Sequence, residues 1–164
     1  MSLDSVLPRA GRALDIAGGT GRHAIWLAQR GLAVTLADVS DEAMRLAGAA
    51  ARAAGAAPGI ELLRIDLEHE PLPDGPWHVV LCFHYLQRSL LTTIATALAP
   101  GGFLVFCHQT RTNLERHPRP GPEYLLAPGE APTLVEGLEI VIYEEGWHEE
   151  GRHEAHLVAR RAPV

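Results

Sequence analysis

The chain has no apolar run that approaches membrane-spanning length, so no bilayer-crossing helix is expected in its 164 residues. Residues 1–9 lack the long apolar core of a signal peptide, which points to a cytoplasmic location. An excess of positive charge is also missing. The formal net charge is -6, which argues against a generic binder of phosphate backbones, so no nucleic-acid partner is expected. Cysteine is scarce, with only Cys82 and Cys107. Both sit inside apolar, strand-like runs, where reduced buried thiols act as small hydrophobes; a redox pair has no other support. Internal repeats and a linker between two compositions are absent as well. What is there is length enough for one core and an apolar fraction of 47%, which excludes a disordered polar chain and fits one domain over residues 1–164.

Strand-like runs alternate with helical patterns, the arrangement of a mostly parallel sheet flanked by helices. Residues 13–17 read as the first strand and 22–30 as a helix closed by Gly31. Residues 33–38 form a second strand. Ser40 is a good N-cap for an alanine-rich helix reaching residue 54, with Asp41 and Glu42 in its first turn. Residues 60–66 make the third strand. The run 77–83, broken only by His78, suits a central strand buried on both faces. Residues 86–98 read as a helix stopped by Pro100-Gly101-Gly102, which leads into a fifth strand at 103–107; this apolar stretch is expected to pack in the core or against a second copy. A long polar loop with four prolines covers 111–130, and long ordered loops in compact domains are often functional. A short helix near 133–136 follows. Residues 138–144 and 156–160 alternate apolar and polar positions, as in an antiparallel hairpin at a sheet edge.

The chemistry concentrates where the first strand meets its helix, in Asp15-Ile16-Ala17-Gly18-Gly19-Thr20-Gly21. Glycines without Cβ atoms let main-chain amides line a groove at a helix N-terminus, where partial positive charge accumulates. Many strand-to-helix turns use glycine for backbone angles alone. Here Asp15 lies inside the strand, Asp38 ends the second and Asp66 ends the third, which together point to a nucleoside site at the carboxyl edge of the sheet. His84, Tyr85 and Arg88 follow the fourth strand, and His108 and Gln109 end the fifth on the same edge, where they are candidates to face a substrate. His148, His153 and His156 cluster near the terminal hairpin. No cysteine or tight His-x-x-x-His helix accompanies them, so a solvated hairpin without metal is expected. The Arg116–Arg119 segment with His117 reads as a mobile basic loop, with attraction of an anionic substrate as the alternative.

These residues resemble a class I S-adenosylmethionine-dependent methyltransferase. The acidic-glycine motif is present with Ala17 in place of the usual first glycine, and Leu98-Ala99-Pro100-Gly101-Gly102 is similar to the family's turn before the fifth strand. The resemblance implies a Rossmann-like α/β three-layer sandwich with a seven-stranded, mostly parallel sheet in the order 3-2-1-4-5-7-6 and strand 7 antiparallel. It implies S-adenosylmethionine as cofactor, with Gly18, Gly19 and Gly21 about the methionine end, Asp38 at the ribose and Asp66 with Leu67 at the adenine. Asp15, Ala17, Val39 and Phe83 are further cofactor-binding candidates. His84, Tyr85 and His108 become the candidate catalytic residues, facing a small-molecule methyl acceptor. Phe83-His84-Tyr85-Leu86-Gln87-Arg88 and Leu125-Leu126-Ala127-Pro128-Gly129-Glu130 are similar to the tellurite-resistance or thiopurine methyltransferase-like branch, which implies a soft acceptor such as a thiol or metalloid. A soft nucleophile needs no protein base, whereas an oxygen or nitrogen acceptor does. About a dozen residues precede the first strand, too few for the helical lid usual in the family, so the expectation is an open site, one closed by the 111–130 loop, or one closed by a second copy or partner subunit. Two other classes share features of this pattern. A nicotinamide-dependent oxidoreductase would use the glycine turn and ribose acid, but Asp15, the Pro-Gly-Gly turn and the closing hairpin oppose it. A cofactor-binding scaffold subunit would need no catalytic groups.

Overall fold

Chain reversals at glycines and buried aliphatic strands build the molecule, which a computed structural model describes over residues 3–163. One helical turn, α1 (Leu3–Val6), precedes β1 (Arg12–Ile16). Helix α2 (Arg22–Gln29) starts at Gly21, whose φ of 83° is left-handed, and is followed by Gly31 at φ 101°. A side chain is strained in that region, so both turns use glycine. Strand β2 (Ala33–Asp38) leads to α3 (Asp41–Ala53), whose first turn is capped by the Ser40 hydroxyl accepting from the Ala43 amide at 3.2 Å. Strands β3 (Ile60–Arg64) and β4 (Trp77–Phe83) follow. Two short turns, α4 (Arg88–Leu91) and α5 (Ile94–Ala97), lead into the long β5 (Leu98–Gln109), and a hairpin of β6 (Glu139–Trp147) and β7 (His153–Arg160) ends the chain.

The strands join one seven-stranded sheet in the order β3-β2-β1-β4-β5-β7-β6. The β1–β2, β2–β3, β1–β4 and β4–β5 pairs are parallel, and β7 runs antiparallel to both β5 and β6. The expected order and the reversed strand are both present. Leu14, Ile16, Val80 and Leu104 pack on one face against Leu90, Leu91, Ile94 and Leu134. Ala13, Val34, Leu36 and Val79 pack on the other with Ala24 and Leu27 of α2 and Ala47 of α3. Each large aliphatic side chain buried this way contributes roughly 1.5–3 kcal/mol. Cys82 and Cys107 are buried and free.

The sequence expectation fails at 86–98. No continuous helix forms there. The Thr92 and Thr93 hydroxyls donate to the Ser89 and Leu90 carbonyls, both at 2.8 Å, and the backbone breaks between α4 and α5. Such back-bonding by β-branched hydroxyl residues competes with helix propagation. Leu90, Leu91, Ile94 and Leu98 are buried, so the stretch packs in this chain's own core. Leu98 already pairs with Trp77, and the register then shifts across Pro100-Gly101-Gly102 before Phe103 pairs with Val79. The third strand stops at Arg64, because the Asp66 carbonyl turns to accept the His69 and Glu70 amides. The 111–130 segment is tied down: Arg111 and Leu126 amides donate to the Leu126 and Gln109 carbonyls, and Leu125 and Leu126 are fully buried. No helix among the described residues is long and apolar enough to cross a membrane.

Candidate active site

The carboxyl ends of β1, β2 and β4 enclose two clefts that meet at Ala17. One, of about 300 Å³, is lined by Asp15, Gly18, Gly19, Thr20, His23 and His84, with Phe83 beside them. The other, of about 320 Å³, is lined by Asp38, Val39, Asp66, Leu67, Glu68 and Tyr85. Ala17 has a φ of 51°, the left-handed region, which explains why glycine suits its position. A Cβ added at Gly19 would meet no atom within 4 Å, so the turn is open to the cleft there. At Gly18 it would lie 2.7 Å from Leu36 Cγ and 2.9 Å from Asp15 Oδ2, so the turn lies directly over the Asp15 carboxyl.

Asp15 is 1% exposed in the middle of β1. Its Oδ2 has no hydrogen-bond partner among the described residues. Burial, and after it the charge of Asp38, push its pKa up to about 7 against the opposing hydrogen bond from the Ala24 amide of α2. Asp15 is thus a buried acid that ties the helix start to the strand below the turn, a role the sequence left unspecified.

Asp38 locks the turn from the side. Its Oδ2 accepts the Gly19 amide at 2.9 Å and its Oδ1 the Ser40 amide at 2.9 Å. The carboxylate therefore has a fixed orientation and still offers lone pairs to the cleft. Val39, next in the chain, is 54% exposed, an apolar surface on the cleft wall. Asp66 is held locally: it pairs with His69 Nδ1 at 2.8 Å and accepts the Glu68 amide at 3.1 Å, and these bonds keep its carboxyl below the usual range. Leu67 is buried, and its carbonyl accepts from Gln87 Nε2 at 2.9 Å. Gln87 in turn accepts from the Tyr85 hydroxyl at 2.9 Å. Gln87 was not singled out from sequence; it couples two walls that are 20 residues apart.

A third cleft of about 380 Å³ opens beside these, with Glu68, His84, Tyr85, His108, Gln109 and Tyr124 on its walls. His84 and Tyr85 thus border both the turn side and this cleft. His84 has a φ of 57°, held by its amide donating to the Cys107 carbonyl at 2.8 Å, and its ring centroid lies 6.5 Å from that of His108. His108 Nε2 faces the Tyr124 carbonyl at 2.9 Å, so that nitrogen carries the proton and the lone pair lies on Nδ1. Nδ1 is buried and has no partner among the described residues. Burial, reinforced by the charge of His84, holds the ring's pKa below the ordinary histidine range despite the Tyr124 bond. Burial, followed by the charges of Glu68, Cys82 and Asp66, pushes the Tyr85 phenol up to about 12.

Other expected residues are held by partners within the chain. Arg88 does not face a cleft wall: it forms a two-pronged pair with Glu130, Nε to Oε1 at 2.5 Å and a terminal nitrogen to Oε2 at 3.0 Å, and also donates to the Leu125 carbonyl. Gln109 accepts from Asn113. The basic segment is not loose, for Arg116 stacks 3.7 Å over Trp147 and His117 Nε2 meets the Gly151 carbonyl at 2.7 Å. His23, missed from sequence, stacks on Phe83 with centroids 4.3 Å apart, and burial lowers its pKa. The hairpin histidines are not simply solvated. His153 meets the Thr110 hydroxyl at 2.7 Å, and His148 stacks on His156 at 4.2 Å.

A glycine turn at a helix start, an oriented acid at the next strand end and a reversed last strand define an α/β nucleoside-binding sheet. Residues 13–102 match the methyltransferase domain family, and the chain belongs to that family. It is 34% identical over 112 residues to the tRNA 5-carboxymethoxyuridine methyltransferase of Escherichia coli (strain K12), a match that covers 62% of this chain and 43% of that protein. The chain thus spans less than half the length of the curated relatives it matches. Among solved structures, a SAM-dependent methyltransferase from Mesorhizobium loti superposes with a TM-score of 0.76 at 22% identity, covering 97% of this chain and 95% of that one. One from Methanosarcina mazei gives 0.76 at 19% identity, with 99% and 97% covered. At these identities the structural likeness is one of fold.

Proposed function

We propose that this chain binds S-adenosylmethionine across Ala17 and transfers its methyl group to a small-molecule acceptor held in the cleft beside His84, Tyr85 and His108. The observation that supports it most is the meeting of the two clefts at Ala17, one lined by the glycine turn and one by the oriented Asp38 carboxylate. The residues fit the group: Gly19 leaves open space, Asp38 keeps free lone pairs and Val39 offers apolar surface. When bound, S-adenosylmethionine supplies a sulfonium methyl open to direct displacement. The chain's part is to bind and align. Asp38 holds the ribose hydroxyls, Leu67 flanks the adenine, Val39 adds apolar surface to the same wall, and the glycine turn, open at Gly19, leaves room for the methionine end. Asp66 contributes with the lone pairs its local bonds leave free. His84 and Tyr85 flank the junction of the clefts, where they order the acceptor beside the methyl group and exclude water. His108, with Nε2 on the Tyr124 carbonyl and Nδ1 buried, shapes the acceptor wall, and a soft acceptor needs no protein base.

The soft-acceptor reading rests on the two segments resembling the tellurite-resistance or thiopurine branch. The Arg88–Glu130 pair clamps those two segments together, which is in keeping with a shared acceptor wall. A second reading, an RNA acceptor, is favoured by the tRNA named for the curated relative, while the net charge of -6 weighs against it. Calorimetry with S-adenosylhomocysteine, NADH as control, followed by a methyl-transfer screen over thiols, metalloid oxyanions and tRNA, tests the proposal. Binding of S-adenosylhomocysteine with turnover on a small acceptor supports it. Absent binding, or preference for NADH, overturns it. Turnover on tRNA alone replaces the acceptor, and binding without turnover on any acceptor makes the chain a cofactor-binding subunit.

A further inference from the structure

The β6–β7 hairpin brings together side chains that the methyl-transfer reading does not use. Register sets Glu144 opposite His156 and Gly146 opposite Glu154, and the turn is closed by His148 and Arg152 through an amide-to-carbonyl bond of 2.8 Å. His148 thereby returns over the strand, its ring parallel to that of His156 within 8°. His156 Nε2 lies 3.1 Å from Glu154 Oε2. One nitrogen or oxygen each from His148, Glu154 and His156 lie within 4.8 Å of one another. His148 Nε2 is buried and has no hydrogen-bond partner among the described residues, which is unusual for a polar atom and leaves a ligand position free.

We propose that His148, His156 and Glu154 form a binding site for a divalent transition-metal ion of zinc type. Two imidazoles and one carboxylate are a donor set that suits zinc and its neighbours, with a fourth position open to water. Tetrahedral bonds of about 2.1 Å place ligand atoms roughly 3.4 Å apart, so the widest pair closes by little more than an ångström and the stacked rings splay. The ion has a route in, since the His156 ring is 40% exposed.

A second set shares Glu154, with His84 and Cys107 as partners. There Cys107 Sγ already donates to Glu154 Oε2 at 3.5 Å and His84 Nδ1 is 3.9 Å from Glu154 Oε1, whereas the hairpin set offers the buried, unpartnered His148 Nε2. The hairpin set is the one assigned. Through Glu154 and its contact with His84, the ion would also stiffen one wall of the candidate active site.

The test uses chelator-stripped protein titrated with zinc by calorimetry, and cobalt(II) absorption as the spectroscopic probe; neither needs methyl transfer, so its outcome is separate from that of the proposed activity. One equivalent of zinc is expected to bind and raise Tm. His148→Ala and His156→Ala each weaken it by about tenfold or more, while His153→Gln, which alters the third hairpin histidine, leaves it unchanged. Glu154→Gln is read only where Tm in the absence of metal is retained. Cobalt is expected to give visible bands of low coordination number and no thiolate charge-transfer band. Absence of stoichiometric zinc binding, or binding unaltered in both histidine variants, overturns the site. A thiolate band lost in Cys107→Ser does so too, because it moves the metal to the second set.

Discussion

Replacing Asp15 by Asn should change how stability depends on pH, in a direction fixed by the burial of one carboxyl. In the folded chain its pKa is raised from 3.8 to about 7, chiefly by burial. An unfolded chain releases that proton near the ordinary value. Between the two, folding takes up a proton, so this group's contribution to stability is fully present below about pH 4 and is lost as pH rises through 7. The raised pKa corresponds to about 4 kcal/mol. Asn has the shape of the protonated acid, and its oxygen can still accept the Ala24 amide. Native and variant proteins should therefore unfold alike near pH 4. At pH 8 the variant should be the more stable by about 4 kcal/mol, or roughly 10 °C for a domain of this size.

Urea unfolding of both proteins at half-unit steps from pH 4 to pH 8 measures this, and the quantity of interest is their difference. His23, His108, Asp66, Glu130 and Glu154 all titrate below their ordinary ranges in the folded chain. Their contributions have the opposite sign, present above the ordinary pKa and lost on acidification, but they cancel between native and variant. A difference that stays constant from pH 4 to pH 8 would refute the reasoning, because it would mean that the proton is not held by Asp15. A variant that loses stability at pH 8 would refute it as well, since a net favourable charge at that site would then be required.

Three further outcomes follow from single contacts. Asp38→Ala removes the acceptor of the Gly19 and Ser40 amides and is expected to weaken S-adenosylhomocysteine binding by about 10- to 100-fold, measured by calorimetry; undiminished heat would remove Asp38 from the site. Gly18→Ala drives a Cβ to 2.7 Å from Leu36 and 2.9 Å from Asp15, and should cost about 1–3 kcal/mol in denaturant unfolding. Arg88→Ala leaves the mostly buried Glu130 without its partner and should cost about 1–3 kcal/mol, whereas Arg88→Lys, with one point charge for a two-pronged pair, recovers part of it.

The sheet was legible because strands such as β2 and β4 are short apolar runs bounded by glycine, proline or acidic residues, and the last two alternate apolar and polar positions. Residues 33–38 and 77–83 match β2 and β4 without adjustment. The Ser40 cap was legible for the same reason, since a hydroxyl three residues before an amide is a local device. The failure at 86–98 is instructive. Its apolar spacing suits a helix, and the side chains that matter do enter the core, but Thr92 and Thr93 spend their hydroxyls on preceding carbonyls and divide it. Periodicity reports which face is buried; it does not report whether the backbone bonds persist between the buried positions.

The candidate site divides along the same line. Asp15, Gly18, Gly19, Gly21 and Asp38 act through contacts set by one strand-turn-helix unit and the next strand, so spacing in the chain reveals them. The third cleft, proposed to hold the acceptor, is assembled from the ends of β4 and β5 and from residues 120–125, and the loop is fixed there by Arg88, 37 residues before Leu125 and 42 before Glu130. Nothing local marks Arg88 as a clamp, because a guanidinium has the same sequence signature whether it faces a ligand or a glutamate. The His148–Glu154–His156 cluster lies within a single hairpin. Its members meet because β7 pairs antiparallel with β6, which sets Gly146 opposite Glu154 and Glu144 opposite His156. A histidine tally along the chain finds His148, His153 and His156 together, but strand register decides that His153 turns to Thr110 while His148 and His156 converge on a carboxylate. Side-chain geometry in a sheet is thus a property of pairing, which the spacing of histidines along the chain does not report.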